Sequence, residues 1–159
     1  MDKQKITISV IGAHEATPKT ARLARAVGKM VAELDCILVC GGLKGLMEES
    51  CRGAKEAGGT TIGILPGKDK SDANPYVDIA LPTTFGFSRN VIVAASAHIV
   101  IALPGSYGTE SEICYALVYG RPVINLGGWK IKGMLKAKDV CAAKRVAQKL
   151  LKKIHAGTA

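Results

Sequence analysis

Aromatic side chains are scarce in this chain: two Phe, four Tyr and one Trp make up 4% of 159 residues. That leaves few platforms for stacking nucleobases, so nucleic acid is an unlikely partner. Long apolar runs are missing as well. None approaches the roughly 20 residues that span a bilayer, so no membrane partner is expected. The opening Met-Asp-Lys-Gln-Lys carries no signal-peptide pattern, and a cytoplasmic protein is the expectation. No two cysteines stand at CxxC spacing. The five (Cys36, Cys40, Cys51, Cys114, Cys141) are an odd number, which argues against a disulfide framework and for buried, unreactive thiols. The three histidines, His14, His98 and His155, cluster with nothing, so no metal site is expected. Acidic residues nearly vanish from the end of the chain. Residues 130–159 hold nine Lys/Arg against one Asp, a balance of +8, whereas residues 1–129 hold 13 against 12, a balance of +1. The basicity belongs to the tail, where a solvated helix face explains it better than a nucleic-acid surface.

What remains is a globular composition, 48% hydrophobic with 18 glycines. The length suits a single domain over 1–159. Ile6 to Ile11 is a β-branched run ended by Gly12, and Thr17-Pro18 has the form of an N-cap followed by proline at the first helical position. Leu23, Val27, Met30, Val31 and Leu34 recur at helical spacing, which predicts a helix over 18–34. Strands are expected at 36–40, 60–65, 77–81, 98–103 and 122–126. Helices are expected at 45–57, 86–96, 109–120 and 140–154, the one at 86–96 apolar almost all round and therefore buried. The strands are continuous apolar runs, so both faces of their sheet are covered. The fold class is α/β: one doubly wound, mostly parallel, Rossmann-like sheet with helices on both faces.

Two glycine-rich turns fall at the carboxyl ends of strands, where such sheets bind ligands. The first, Gly41-Gly42-Leu43-Lys44-Gly45, matches neither the dinucleotide fingerprint nor the P-loop, and tight strand-to-helix packing explains it equally well. The second, Pro104-Gly105-Ser106-Tyr107-Gly108-Thr109-Glu110-Ser111-Glu112, lets backbone amides face an anion at a helix N-terminus. Thr109-x-x-Glu112 also has the spacing of a capping box, and spacing alone favours the cap. Arg89 opens an otherwise apolar helix, where it would pair with a carboxylate such as Glu112 or with a bound phosphate.

Together, Gly41-Gly-Leu-Lys-Gly-Leu-Met47, Arg89 and Pro104 to Glu112 resemble the LOG proteins, cytokinin riboside 5′-monophosphate phosphoribohydrolases long mislabelled lysine decarboxylases. Gly63-Ile-Leu-Pro-Gly67 and Asn74-Pro-Tyr-Val-Asp-Ile79 are most similar to the branch that includes the molybdenum cofactor carrier protein. The resemblance spans residues 5 to about 130. It implies Arg89 and Glu112 as catalytic residues. It implies Gly41, Gly42, Gly45, Met47, Asn90, Gly105, Ser106, Tyr107, Gly108 and Thr109 as the phosphate- and ligand-binding set. It implies a small phosphorylated ligand (an AMP-like nucleotide, phosphate or molybdopterin), no required cofactor, and at least a homodimer. Cys40 and Ser106 stand where the family pattern has glycine, and Asn90 where the plant-type enzymes have lysine. The changes at 106 and 90 weigh toward a crevice that binds and hydrolyses weakly. Two functions are therefore expected to compete: cleavage of a nucleoside 5′-monophosphate to base and ribose 5-phosphate, and non-catalytic carriage of molybdopterin.

Overall fold

The fold is seen in a computed structural model that describes residues 5–157. Seven strands form one sheet: β1 (Thr7–Ile11), β2 (Ile37–Cys40), β3 (Thr61–Leu65), β4 (Ile79–Pro82), β5 (Ile99–Ala102), β6 (Val123–Asn125) and β7 (Leu135–Lys136). Every pairing is parallel and the order is β4-β3-β2-β1-β5-β6-β7. The chain winds outward from β1 to β4, then returns to place β5 on the other side of β1. The sheet's switch point therefore lies between β1 and β5, and a crevice opens there at the strands' carboxyl ends.

Five helices cover the sheet: α1 (Pro18–Glu33), α2 (Leu46–Glu56), α3 (Asn90–Ala95), α4 (Tyr107–Val118) and α5 (Val140–His155). On one face, Ile8, Val10, Leu38 and Ile101 pack with Val27 and Val31 of α1, Cys51 and Ala54 of α2, and Ala143 and Ala147 of α5. On the other, Val39, Val100, Ala102 and Val123 pack with Val93 and Ala94 of α3 and Ile113 and Ala116 of α4. Successive residues of β5 alternate between the two cores, as the two-residue period of a strand dictates. Ser9 is the polar exception in β1; its hydroxyl donates to the Val93 carbonyl at 2.7 Å and ties the sheet to α3.

The expected start of α1 is present. The Thr17 hydroxyl accepts from the Thr20 amide, and the Thr20 hydroxyl accepts from the Thr17 amide at 2.9 Å. Three expectations need correction. The segment 86–96 is not one buried helix: Gly86–Arg89 is a 3₁₀ turn and α3 is only six residues long. The Gly86 amide is tied back to the Pro66 carbonyl at 3.0 Å, which swings Phe87 into solvent at 78% exposure. The strand expected at 77–81 lies at 79–82, ending at Pro82 on the sheet edge, where a missing amide costs no ladder bond. Buried thiols hold for Cys36, Cys40 and Cys51, but Cys114 and Cys141 are exposed. The two-residue β7 was absent from the sequence reading.

The tail helix behaves as its pattern requires. Ala143, Ala147 and Leu151 are buried while Arg145, Lys149 and Lys152 face water. Asp139 caps it, accepting from the Ala142 amide at 2.7 Å, and Lys144 pairs with Glu33 of α1 at 2.7 Å. Among the described residues, no helix is long and apolar enough to cross a membrane.

Candidate ligand-binding site

The crevice at the switch point has a volume of about 640 Å³, within the usual range for small-molecule sites. One wall is Gly12–His14, which follows β1. The opposite wall is Ser106–Thr109 with Ser111, Glu112 and Tyr115. Met47 and Phe87–Asn90 complete it. The Ala13 amide donates to the Pro104 carbonyl at 3.1 Å and the Leu46 amide to the Ala13 carbonyl at 3.0 Å, so three loops are laced together behind the cavity.

The α4 turn leaves backbone amides uncapped at a helix N-terminus. Helix α4 begins at Tyr107, with Ser106 as its N-cap and no side-chain cap bond. Its first intrahelical bond runs from the Glu110 amide to the Ser106 carbonyl at 2.9 Å. The amides of Tyr107, Gly108 and Thr109 precede that bond and have neither a helical acceptor nor a capping side chain; they are the positive end of the helix. A Cβ at Gly105 would overlap the Thr109 side chain, so glycine there is a packing requirement. At Gly108 a Cβ would meet only Asn90 Nδ2 at 3.8 Å, so that glycine leaves space open in the cavity. Ser106 sits at φ −126°, ψ −158°, extended backbone that a serine adopts without strain.

The capping box expected at Thr109 and Glu112 does not form. Because the helix starts two residues before Thr109, both residues lie inside it, and Glu112 turns into the crevice. Glu112 is 6% exposed, and burial raises its carboxyl to about 8 despite the opposing pull of the Arg89 charge. Burial thus favours its protonated form.

Arg89 is 5% exposed and largely committed. Its Nε donates to the Ile64 carbonyl of β3 at 2.7 Å, one terminal nitrogen donates to Asn90 Oδ1, and the other donates to the Gly41 carbonyl at 3.3 Å. No ion pair within 4.0 Å joins it to Glu112 among the described residues. With five N–H groups and three in use, two remain for Glu112 or a ligand. Burial lowers its pKa, and the Glu112 carboxyl acts against that. Asn90 couples this arginine to the α4 turn: its amide donates to the Gly108 carbonyl at 3.3 Å and to the Ser111 hydroxyl at 3.1 Å.

The structure thus brings Met47, Arg89, Asn90, Ser106, Tyr107, Gly108, Thr109 and Glu112 to one cavity. Gly41, Gly42, Gly45 and Gly105 lie behind its walls. Gly41 presses on Arg89 and the Met47 sulfur, leaving no room for a Cβ, and Gly45, at φ +72°, backs onto the His14 carbonyl. His14, Phe87, Ser88, Ser111 and Tyr115 also line the cavity and escaped the sequence reading. The one available signal was position: His14 follows a strand at its carboxyl end. Among the described residues, no group of three or more His, Cys, Asp or Glu could hold a metal ion.

A family model described as the SLOG cluster4 family matches residues 5–155. An uncharacterised protein of Archaeoglobus fulgidus is 45% identical over 119 residues, 75% of this chain and 78% of that one. Among solved structures, the molybdenum cofactor binding protein of the phototrophic bacterium Rippkaea orientalis is similar with a TM-score of 0.89 and 33% identity, covering 94% of this chain and 99% of that one. The molybdenum cofactor carrier protein of Chlamydomonas reinhardtii gives a TM-score of 0.87 and 34% identity, covering 94% and 100%.

Proposed function

This chain belongs to the SLOG cluster4 family, and from that premise we propose that its crevice holds a phosphorylated heterocycle of the molybdopterin type as a carrier, without cutting it. Likeness to two molybdenum cofactor proteins over 94% of the chain supports the ligand class. The residues fit such a group: the amides of Tyr107 to Thr109 would grip the phosphate, Thr109 and Ser106 would add hydroxyl donors, and about 640 Å³ accommodates the remainder.

The choice of holding over cutting rests on the setting of Glu112, which is buried in the crevice with no ion pair to Arg89 within 4.0 Å among the described residues, so that its neutral form is favoured. Hydrolysis of an N-glycosidic bond builds positive charge on the ribose, and a carboxylate beside C1′ stabilises that charge or activates water. A carboxyl raised to about 8 is mostly protonated at neutral pH and supplies little of either. Arg89 is also spent mainly on backbone, where it fixes β3 and the first glycine turn. The hydrolase reading rests on one observation of its own, that Arg89 and Glu112 share the cavity. It requires activity that grows as pH rises through about 8.

The test pairs two measurements at neutral pH. Molybdopterin released from a molybdoenzyme should co-elute with the protein on gel filtration. A panel of nucleoside monophosphates should release no ribose 5-phosphate. Turnover near the ordinary enzymatic rate of about 10 s⁻¹ would overturn the carrier reading.

The same reading includes self-association. Tyr115 and Val118 on α4 and Tyr119 just beyond it are 39%, 77% and 45% exposed, an apolar band that a second copy would cover. Light scattering at micromolar concentration should give at least a dimer; a monomer contradicts it.

A further inference from the structure

Beside the crevice lies a recess of about 160 Å³, bounded by His14, Leu43, Pro66, Gly86, Phe87 and Arg89. We propose that this recess receives the flat ring of the phosphorylated ligand and recognises it by shape, without reading the hydrogen-bonding edge of the ring. The inference rests on the reading that the α4 turn grips the phosphate.

Three observations carry it. First, His14, Phe87 and Arg89 belong to both cavities, so the recess is a side arm of the crevice. At about 160 Å³ it is smaller than a whole-ligand site, which spans about 300–1,000 Å³, and it takes one part of a ligand whose other part lies in the main cavity. The phosphate turn, Ser106–Thr109, lines the main crevice and not the recess, which leaves the recess for another part of the molecule.

Second, the walls formed by Leu43, Pro66 and Phe87 are carbon, and several backbone groups beside them are already engaged. The Leu43 carbonyl accepts from Asn74 Nδ2 at 2.9 Å. The Gly86 amide donates to the Pro66 carbonyl at 3.0 Å, and proline has no amide of its own. Ring nitrogens and exocyclic groups entering here meet mainly Leu43, Pro66 and Phe87; the two polar side chains of the lining, His14 and Arg89, are shared with the main crevice. A site that hydrogen-bonds an edge separates analogues by orders of magnitude, whereas an apolar one separates them weakly.

Third, Phe87 stands at the join of the two cavities with 78% of its surface in water. In a chain with only two phenylalanines, a solvated ring at that place is a platform for a second ring.

The test is titration calorimetry with ribose 5-phosphate, with carbocyclic analogues of AMP, GMP and IMP that resist cleavage, and with a pterin bearing a phosphorylated hydroxymethyl group. The ring-bearing ligands should bind about 5- to 100-fold tighter than ribose 5-phosphate, the range seen for base-on-aromatic stacking. The three purine nucleotides should agree within about threefold, in line with a site that has no edge contacts. Phe87→Ala should abolish most of the gain, weakening the ring-bearing ligands far more than ribose 5-phosphate. Leu43→Trp, which fills the recess, should do the same. Nucleotides no tighter than ribose 5-phosphate would overturn the proposal, as would a gain confined to one ring system. Equal weakening of every ligand by Phe87→Ala would also overturn it. If ribose 5-phosphate itself fails to bind, the phosphate reading fails and the recess with it.

Discussion

Glu112→Gln removes one ionisation and preserves the shape of the side chain. Burial raises the Glu112 carboxyl from its ordinary 4.5 to about 8, with Arg89 opposing the shift. Between those values the folded chain keeps a proton that the unfolded chain has released. Stability therefore falls as pH rises across this window; none is lost below about 4.5, and the whole loss is present above about 8. At about 1.4 kcal/mol per pH unit, the full span amounts to about 5 kcal/mol. That is an upper figure, because water entering with the charge relaxes part of it. Urea unfolding of both proteins at about pH 5, 7 and 9 measures the difference. The glutamine variant should gain on the wild type by about 2–4 kcal/mol between the lowest and highest pH. Parallel pH profiles would refute the reasoning, since they would mean that Glu112 ionises as an exposed carboxylate does.

Other outcomes follow from named contacts. Gly105→Ala forces a methyl into the Thr109 side chain and should cost about 1–3 kcal/mol by urea unfolding, the usual range for overpacking. Gly108→Ala meets only an ordinary contact, so its melting temperature should hold while phosphate-ligand affinity falls by calorimetry. Asn90→Ala removes the partner of Arg89 and the donor to Gly108, and should cost about 1–3 kcal/mol with loss of ligand affinity. Lys149→Gln with Lys152→Gln should change stability by less than about 1 kcal/mol in a thermal melt, as isolated surface charges do.

Much of this was legible in the sequence because it is local. The apolar runs at 7–11, 37–40, 61–65 and 99–102 announce buried parallel strands, and Thr17-Pro18 announces the start of α1. The turn at Gly105–Thr109 was legible as a strand-to-helix junction beside the cavity, since glycine spacing and a following helix are both short-range signals. What the sequence concealed depends on tertiary placement. Thr109-x-x-Glu112 has the spacing of a cap, but the helix starts earlier because Gly105 lets the chain fold down onto Thr109. Arg89 reads as a partner for Glu112, yet the sheet offers the Ile64 and Gly41 carbonyls closer at hand. His14, Phe87 and Tyr115 belong to three distant segments that meet only because β5 returns beside β1. The two exposed residues of β7 carry no pattern to recognise.

The central claim is that the α4 turn grips a phosphate and holds it. A crystal structure with the phosphorylated pterin, or with carbocyclic AMP, measures this directly. The account predicts the phosphate against the amides of Tyr107, Gly108 and Thr109, with an intact ligand running past Glu112 toward Phe87. A phosphate seated on the basic face of α5, or a cavity that stays without ligand at saturating concentration, would contradict it.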